Sequence, residues 1–242
     1  MPPSLRPCSA SSYAVASISR ALAVSRGERD RSIDSVCSTS VAARRYPVEV
    51  GSQRVELPVV ALNDGLSLAL LITVDMGVAF MDVAGRDLAQ LIAPYDVDIV
   101  ATVATMGIPL CVEVTRHLGL DQYVILHKTP KIHLADAVSE PVRSITTDAD
   151  QRLLFDRARV KDVAGRRVAI VDDVISTGAS TGAALRLLRR VGAEVVVIGT
   201  LVTEASLWRE NLGADAALVH ALGHIPVFRP GEGDQLVEDW NG

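Results

Sequence analysis

From Tyr46 onward the apolar positions of this chain fall into two rhythms, short β-prone runs and longer stretches that repeat every three or four residues. Their alternation predicts an α/β sheet in which strands are interleaved with helices. Residues 48–57 and 59–62 read as early strands and 69–74 as a further apolar run. A helix is expected over 78–92, stopped near Pro94 because a proline pushes the residue before it out of the helical region. Residues 98–103 then form a strand leading into Thr105-Met106-Gly107, and a second helix runs from Pro109, favoured in a first turn, to Leu118. Residues 123–126, 151–155, 169–171 and 194–202 read as further strands, with a helix over 181–190. The stretch 66–80 is the closest approach to a long apolar run, but it contains Asp75 and fits an interior strand. Nothing reaches the roughly 18 uninterrupted apolar residues of a membrane span.

Residues 1–44 differ, being rich in Ser, Ala and Arg and poor in large apolar side chains. They read as a disordered extension, leaving one domain over 45–242. The Arg- and Ser-rich look is that of a transit peptide, although Glu28, Asp30 and Asp34 dilute it and no clean cleavage pattern appears; an extension without function stands beside that reading. With 242 residues and 49% hydrophobic content the chain can bury one sizeable core. A net charge of −5 argues against a nucleic-acid surface, so any phosphate must be captured locally. Cys8, Cys37 and Cys111 show no ligand spacing, which supports neither a disulfide framework nor a zinc site and makes a reducing cytoplasm the default setting. No internal repeat is present.

The chemistry concentrates in Val168-Ala169-Ile170-Val171-Asp172-Asp173-Val174-Ile175-Ser176-Thr177-Gly178-Ala179-Ser180-Thr181. An apolar strand carries two adjacent carboxylates, then small residues form a turn whose amides, hydroxyls and following helix N-terminus suit a phosphate. Asp172 and Asp173 point differently, because side chains alternate across a strand, and both can accept hydrogen bonds from neighbouring ribose hydroxyls. Repulsion from a phosphate argues against their touching it directly. A strand with an acidic end and an ordinary helix cap is the plain alternative. A receiver domain would need its paired aspartates after its first strand, and no Walker loop or dinucleotide fingerprint competes.

This run resembles the loop that binds phosphoribosyl pyrophosphate (PRPP) in type I phosphoribosyltransferases, and the order of elements resembles that core over residues 46–228. The resemblance implies a central, mostly parallel sheet flanked by helices, with a flexible loop and a small hood to which residues from about 203 contribute. It implies that Asp172 and Asp173 hold the ribose hydroxyls and that Ser176, Thr177, Gly178, Ala179 and Ser180 hold the 5′-phosphate. Asp173 is also implied near the reactive nitrogen of the base, where it could assist proton transfer. The long connection 127–147 corresponds to the loop that closes over PRPP and excludes water, with Lys128 and Lys131 matching its cations and His127 standing where Arg is usual. Alone, Lys-Pro-Lys would read as a solvated turn, and His133 as a loop histidine.

The pyrophosphate turn of the resembling family falls on Ala104-Thr105-Met106-Gly107, where Gly107 keeps the needed backbone freedom while Ala104 and Met106 replace an acidic and a basic or hydroxyl residue. Thr105, Met106, Gly107, Lys128 and Lys131 are thereby implied as the pyrophosphate site, with Lys128 counted among the catalytic groups. Mg²⁺ is implied as cofactor, bound mostly through the substrate and in part through Asp172 and Asp173. The chain resembles the adenine and xanthine branch through Gly107-Ile108-Pro109-Leu110, the Lys-x-x-Lys loop, the Asp-Asp pair and the ending Leu222-Gly223-His224-Ile225-Pro226-Val227-Phe228. Val174 and Phe228 are the implied base pocket; Phe228 either stacks on a purine or simply caps the core, and Glu204 either approaches the base or ends a strand. The expected activity is transfer of phosphoribose from PRPP to a purine base, adenine favoured, by a homodimer without nucleic-acid or membrane partners. A PRPP- or nucleotide-binding regulator on the same fold is the alternative, although residues 1–44 lack the apolar periodicity of a DNA-binding domain.

Overall fold

The computed structural model describes residues 44–134, 136–142, 151–233 and 235–242. The expected N-terminal extension, up to residue 43, and Ser144, Thr146 and Thr147 of the long connection lie outside the described residues.

β1 (Arg45–Val50) and β2 (Gln53–Asn63) form an antiparallel hairpin where a single strand over 48–57 was expected. The chain turns at Gly51, whose φ of +60° lies in the left-handed region open to glycine. β3 (Leu66–Ala69) is short. The apolar stretch 66–80 is therefore not one interior strand: a 3₁₀ turn at Thr73–Asp75 follows and α1 (Val78–Ile92) begins within it. A continuous apolar run does not distinguish strand from helix, and here the periodicity after Gly77 decides. Phe80, Met81, Ala84, Leu88, Ala89 and Ile92 recur at helical spacing and are buried.

β4 (Ile99–Val103) leads into α2 (Gly107–His117), which starts two residues before the expected Pro109 and is followed by β5 (Tyr123–Leu126). The long connection is not structureless, since β6 (Ala137–Pro141) pairs antiparallel with β7 (Arg152–Asp156). After α3 (Val160–Val163), β8 (Arg167–Ile175) runs past both aspartates, so the acidic pair lies within the strand. α4 (Ala179–Arg190), β9 (Glu194–Glu204), α5 (Leu207–Leu212), β10 (Val219–Ile225), β11 (Val227–Pro230) and β12 (Leu236–Asp239) complete the chain.

The central sheet is parallel throughout, in the order β5-β4-β8-β9-β10, flanked by helices on both faces. Alternate strand residues feed two cores. Val100, Ala169, Val171 and Val197 pack with α1 and α2, whereas Ile99, Ala101, Val168, Ile170 and Ile198 pack with α4 and Trp208. Such two-sided burial explains why these strands read as continuous apolar runs. A second sheet joins the two ends of the domain in the order β1-β2-β3-β11-β12. It meets the first where Gly51 N–H donates to the Leu222 carbonyl at 3.0 Å. Among the described residues no helix is long and apolar enough to cross a membrane.

The packing of α1 on α2 depends on Gly85, where a Cβ would overlap the Glu113 Cβ and stand 3.1 Å from the Glu113 carbonyl carbon. A valine there gains little helix propensity over glycine, while inserting bulk into a packed contact costs about 1–3 kcal/mol. We therefore predict that Gly85→Val lowers the urea midpoint by an amount equivalent to about 2 kcal/mol with an unchanged m-value. An equal or higher midpoint would refute this view of the helix contact.

Candidate active site

The order of the central sheet places a topological switch point between β4 and β8. α2 leaves the end of β4 for one face and α4 leaves the end of β8 for the other. A crevice must open at the carboxyl ends of such strands, and ligands of open α/β sheets bind there. The register shows the opening directly: β8 pairs with β4 only as far as Val171 but with β9 as far as Ile175. A cavity of about 260 Å³ occupies this position.

The cavity collects most of the residues singled out from the sequence. Asp172, Asp173, Val174, Ser176, Thr177, Gly178, Ala179 and Ser180 line it, together with Thr105, Met106 and Lys128. Gly107 stands at its edge, and a Cβ there would overlap the Thr102 hydroxyl and come within 2.7 Å of Asp172 Oδ1. Glycine is thus required for α2 to start this close to the acidic strand. Ile175 and Thr181, which belong to the same run but were not among the implied site residues, also line the cavity, as do Val103 and Ala104.

Two predicted residues are not brought in. Lys131 is exposed and outside the lining, because the chain turns away from Lys128 into a 3₁₀ turn at Ile132–Leu134. Phe228 is only 3% exposed and sits edge-on to Tyr46, with ring centroids 5.3 Å apart. Its place in β11, opposite Ser67 of β3, makes it a core residue of the second sheet and leaves no free face for stacking on a base.

The turn that follows β8 is held from beneath. Gly178 takes φ +75° as the N-cap of α4, and the first residues of that helix line the cavity. Asn211 Nδ2 donates to the Thr177 carbonyl at 2.8 Å, and Trp208 lies 3.3 Å from the position a Gly178 Cβ would take. Neither residue carries a local signal in the sequence, since each acts on a turn more than two dozen positions away. Ser176 Oγ donates to Glu204 Oε1 at 2.5 Å. The opposite turn is anchored by Thr73, whose hydroxyl donates to the Met106 carbonyl at 2.7 Å, and by Ala104 N–H bonding to the Leu126 carbonyl at 2.9 Å. The Ala104–Thr105 peptide is cis.

Asp172 is buried and Asp173 half-buried, the Asp173 amide donating to Asp172 Oδ1 at 3.1 Å. Burial first, then the neighbouring Asp173 charge, hold the Asp172 carboxyl well above the usual carboxylate range, and Lys128 opposes them. A site that raises a carboxyl in this way fits a bound cation or a set of ribose hydroxyls, either of which would relieve the crowding. Asp82, Glu113 and His117 also bring ligand atoms within 4.8 Å of one another, but outside this cavity and already partnered, His117 Nε2 with Asp82 Oδ1 at 3.0 Å in a hydrogen bond and Arg116 with Glu113 at 3.1 Å in an ion pair. Cys111 is buried and its thiol is pushed up to about 12 by burial, so it stays protonated and inert.

This crevice, with its acidic strand end and small-residue turn, is that of an open α/β sheet whose chemistry suits a sugar phosphate. The phosphoribosyl transferase domain matches residues 77–219, more than half of the chain, and the protein belongs to that family. The chain is 28% identical over 123 residues to the orotate phosphoribosyltransferase of Caldanaerobacter subterraneus, covering 51% of this chain and 53% of that one. It is 31% identical over 128 residues to the adenine phosphoribosyltransferase of Acidiphilium cryptum, covering 52% and 70%. It is likewise 31% identical over 135 residues to the purine biosynthesis transcriptional repressor PurR of Bacillus subtilis, covering 56% and 44%. The match thus spans about half the length of the orotate enzyme and less of the repressor. The crystal structure of adenine phosphoribosyltransferase from Thermoanaerobacter pseudethanolicus superposes with a TM-score of 0.55 at 22% identity, covering 65% of this chain and 90% of that one, a likeness of fold.

The raised Asp172 carboxyl has a consequence for stability. Because the folded chain binds this proton more tightly than the unfolded chain, Asp172 costs stability as pH rises from the ordinary carboxylate range through its raised native value. Asp172→Asn keeps the acceptor for the Asp173 amide without the charge. It should raise stability by about 1 kcal/mol at pH 7.5, with the gain vanishing near pH 4, while ligand binding is lost. Urea midpoints of both proteins at the two pH values check this, and a variant less stable at pH 7.5 would contradict it.

Proposed function

We propose that the chain is a phosphoribosyltransferase that moves the 5-phosphoribosyl group of PRPP to a purine base, adenine favoured, in purine salvage. The observation that carries the reading is the convergence in one switch-point crevice of two adjacent carboxylates, a helix-capped small-residue turn and Lys128. In this reading the turn Ser176–Ser180 receives the 5′-phosphate and Asp172 and Asp173 accept the ribose 2′ and 3′ hydroxyls. The amides around Thr105, Met106 and Gly107 face the pyrophosphate, with Lys128 offsetting its charge. The bond from the anomeric carbon to pyrophosphate oxygen breaks, a bond from a base nitrogen forms, and the proton of that nitrogen leaves to solvent or to Asp173. Because the sugar becomes cationic, these groups act by position, charge neutralisation and exclusion of water, without a protein nucleophile.

Mg²⁺, held mainly by substrate oxygens and partly by Asp172 and Asp173, would supply charge neutralisation at the pyrophosphate. Residues 45–242 form the transferase unit in this proposal, with the second sheet as the cover of the site and a cytoplasmic homodimer as the working form. In this reading Val174 meets the base, supported by its lining the cavity while Phe228 does not. A second reading, a PRPP-binding regulator with little turnover, draws on the relative that is a transcriptional repressor and on Ala104 and Met106 at the pyrophosphate turn.

Incubation of the purified chain with PRPP, Mg²⁺ and each of adenine, guanine, hypoxanthine, xanthine and orotate, with pyrophosphate release as the readout, separates these readings. Rapid release with one purine is expected, and Asp172→Asn combined with Asp173→Asn should cut kcat/KM by at least about 100-fold. PRPP binding without release on any base would overturn the transferase reading in favour of the regulator, and release with orotate alone would overturn the purine assignment.

A further inference from the structure

Ile175 and Thr203 are the last backbone pair between β8 and β9. Ser176 and Glu204 are the next residue on each strand, and where the backbone ladder stops their side chains continue it, Ser176 Oγ donating to Glu204 Oε1 at 2.5 Å. Glu204 is only 7% exposed, its carboxyl is raised by burial, and no residue of the cavity lining other than Ser176 shares its charge or proton in a hydrogen bond. A carboxylate this close to a phosphate turn would weaken anion binding if it faced the anion. Glu204 is instead buried and not among the residues that line the cavity.

A serine hydroxyl has one proton to donate. Given to Glu204, that proton is not available to a phosphate, so Ser176 serves the turn through its backbone and not as a hydroxyl ligand. Ser176 also begins the segment whose later residues are fixed by Asn211 at the Thr177 carbonyl and by Trp208 beneath Gly178. Those contacts hold the middle of the turn, and the Ser176–Glu204 bond holds its entrance. We infer that Glu204 is a positioning residue for the phosphate turn, acting through the Ser176 hydroxyl to fix the direction in which the turn's amides point. The inference rests on the reading that this turn receives the 5′-phosphate.

The test is a double-mutant cycle read by calorimetric binding of PRPP with Mg²⁺ and, separately, of ribose 5-phosphate, which probes the turn without the pyrophosphate site. Losing a hydrogen bond to a buried carboxylate is worth about tenfold in affinity, so Glu204→Ala and Ser176→Ala should each raise both dissociation constants about tenfold. The double variant should be no more than about twofold weaker than either single one, because both remove the same bond. Glu204→Gln, whose amide oxygen accepts the same hydrogen bond, should stay within about threefold of the parent chain. Any turnover should show the loss in KM for PRPP, with kcat at saturation nearly unchanged.

Additive losses in the double variant would overturn the inference, as would wild-type affinity in both alanine variants or a Gln variant as weak as the Ala variant. If Glu204→Ala fails to fold, Ser176→Ala and Glu204→Gln decide the matter against the same criteria. A parent chain that binds neither probe would overturn the phosphate-turn reading and this inference with it. A parent chain that binds while all variants match it overturns the inference alone.

Discussion

Beyond the pair of Thr102 and Val171 the two middle strands make no further ladder contact, and the helices that follow them depart to opposite faces. The site depends on this parting. A parallel strand must be followed by a crossover, and when two neighbours cross over in opposite directions the space at their carboxyl ends cannot be filled by either helix. The acidic residues sit on the strand that continues past the parting. The helix N-terminus that would bind a phosphate belongs to the crossover from that same strand. Thr105 and Met106, Lys128, the acidic pair and the turn after it therefore meet in one cavity from separate segments of the chain.

The same crevice carries an electrostatic cost. Two adjacent carboxylates, one of them buried, are kept against a low-dielectric strand end, which holds the Asp172 carboxyl high. Structural requirements do not call for this arrangement, since a Thr or Val at that position would suit the sheet better. Groups that destabilise the free protein and gain partners only with a ligand are the expected mark of a binding site. The buried Glu204 differs in that its partner, Ser176, is already present.

The glycines at these contacts act through close approach. Gly107 lets α2 begin against Thr102 and Asp172, and Gly85 lets α1 and α2 touch at Glu113. Together they set the distance between the turn at 104–106 and the acidic strand, because α2 is clamped at its start by one and along its length by the other. Relatives at similar identity carry names for orotate, adenine and gene regulation, as expected where one frame serves several functions.

Local sequence determined much of this. The apolar periodicity of residues 78–92, the buried run before Asp172 and the small residues after it are each dictated by chemistry within a few positions, and α1, β8 and the turn into α4 follow directly. Boundaries were less legible where a run was largely apolar, as at 66–80, because a short strand, a 3₁₀ turn and the start of α1 follow one another there with too few residues each to show their own period. What only the tertiary structure decided is which distant residues meet: Phe228 went to the core against Tyr46, Lys131 turned away from Lys128, and Glu204, Trp208 and Asn211 came under the phosphate turn. Those outcomes depend on the order of strands in the sheet and on the space left between packed layers, and neither is encoded in any single stretch of the chain.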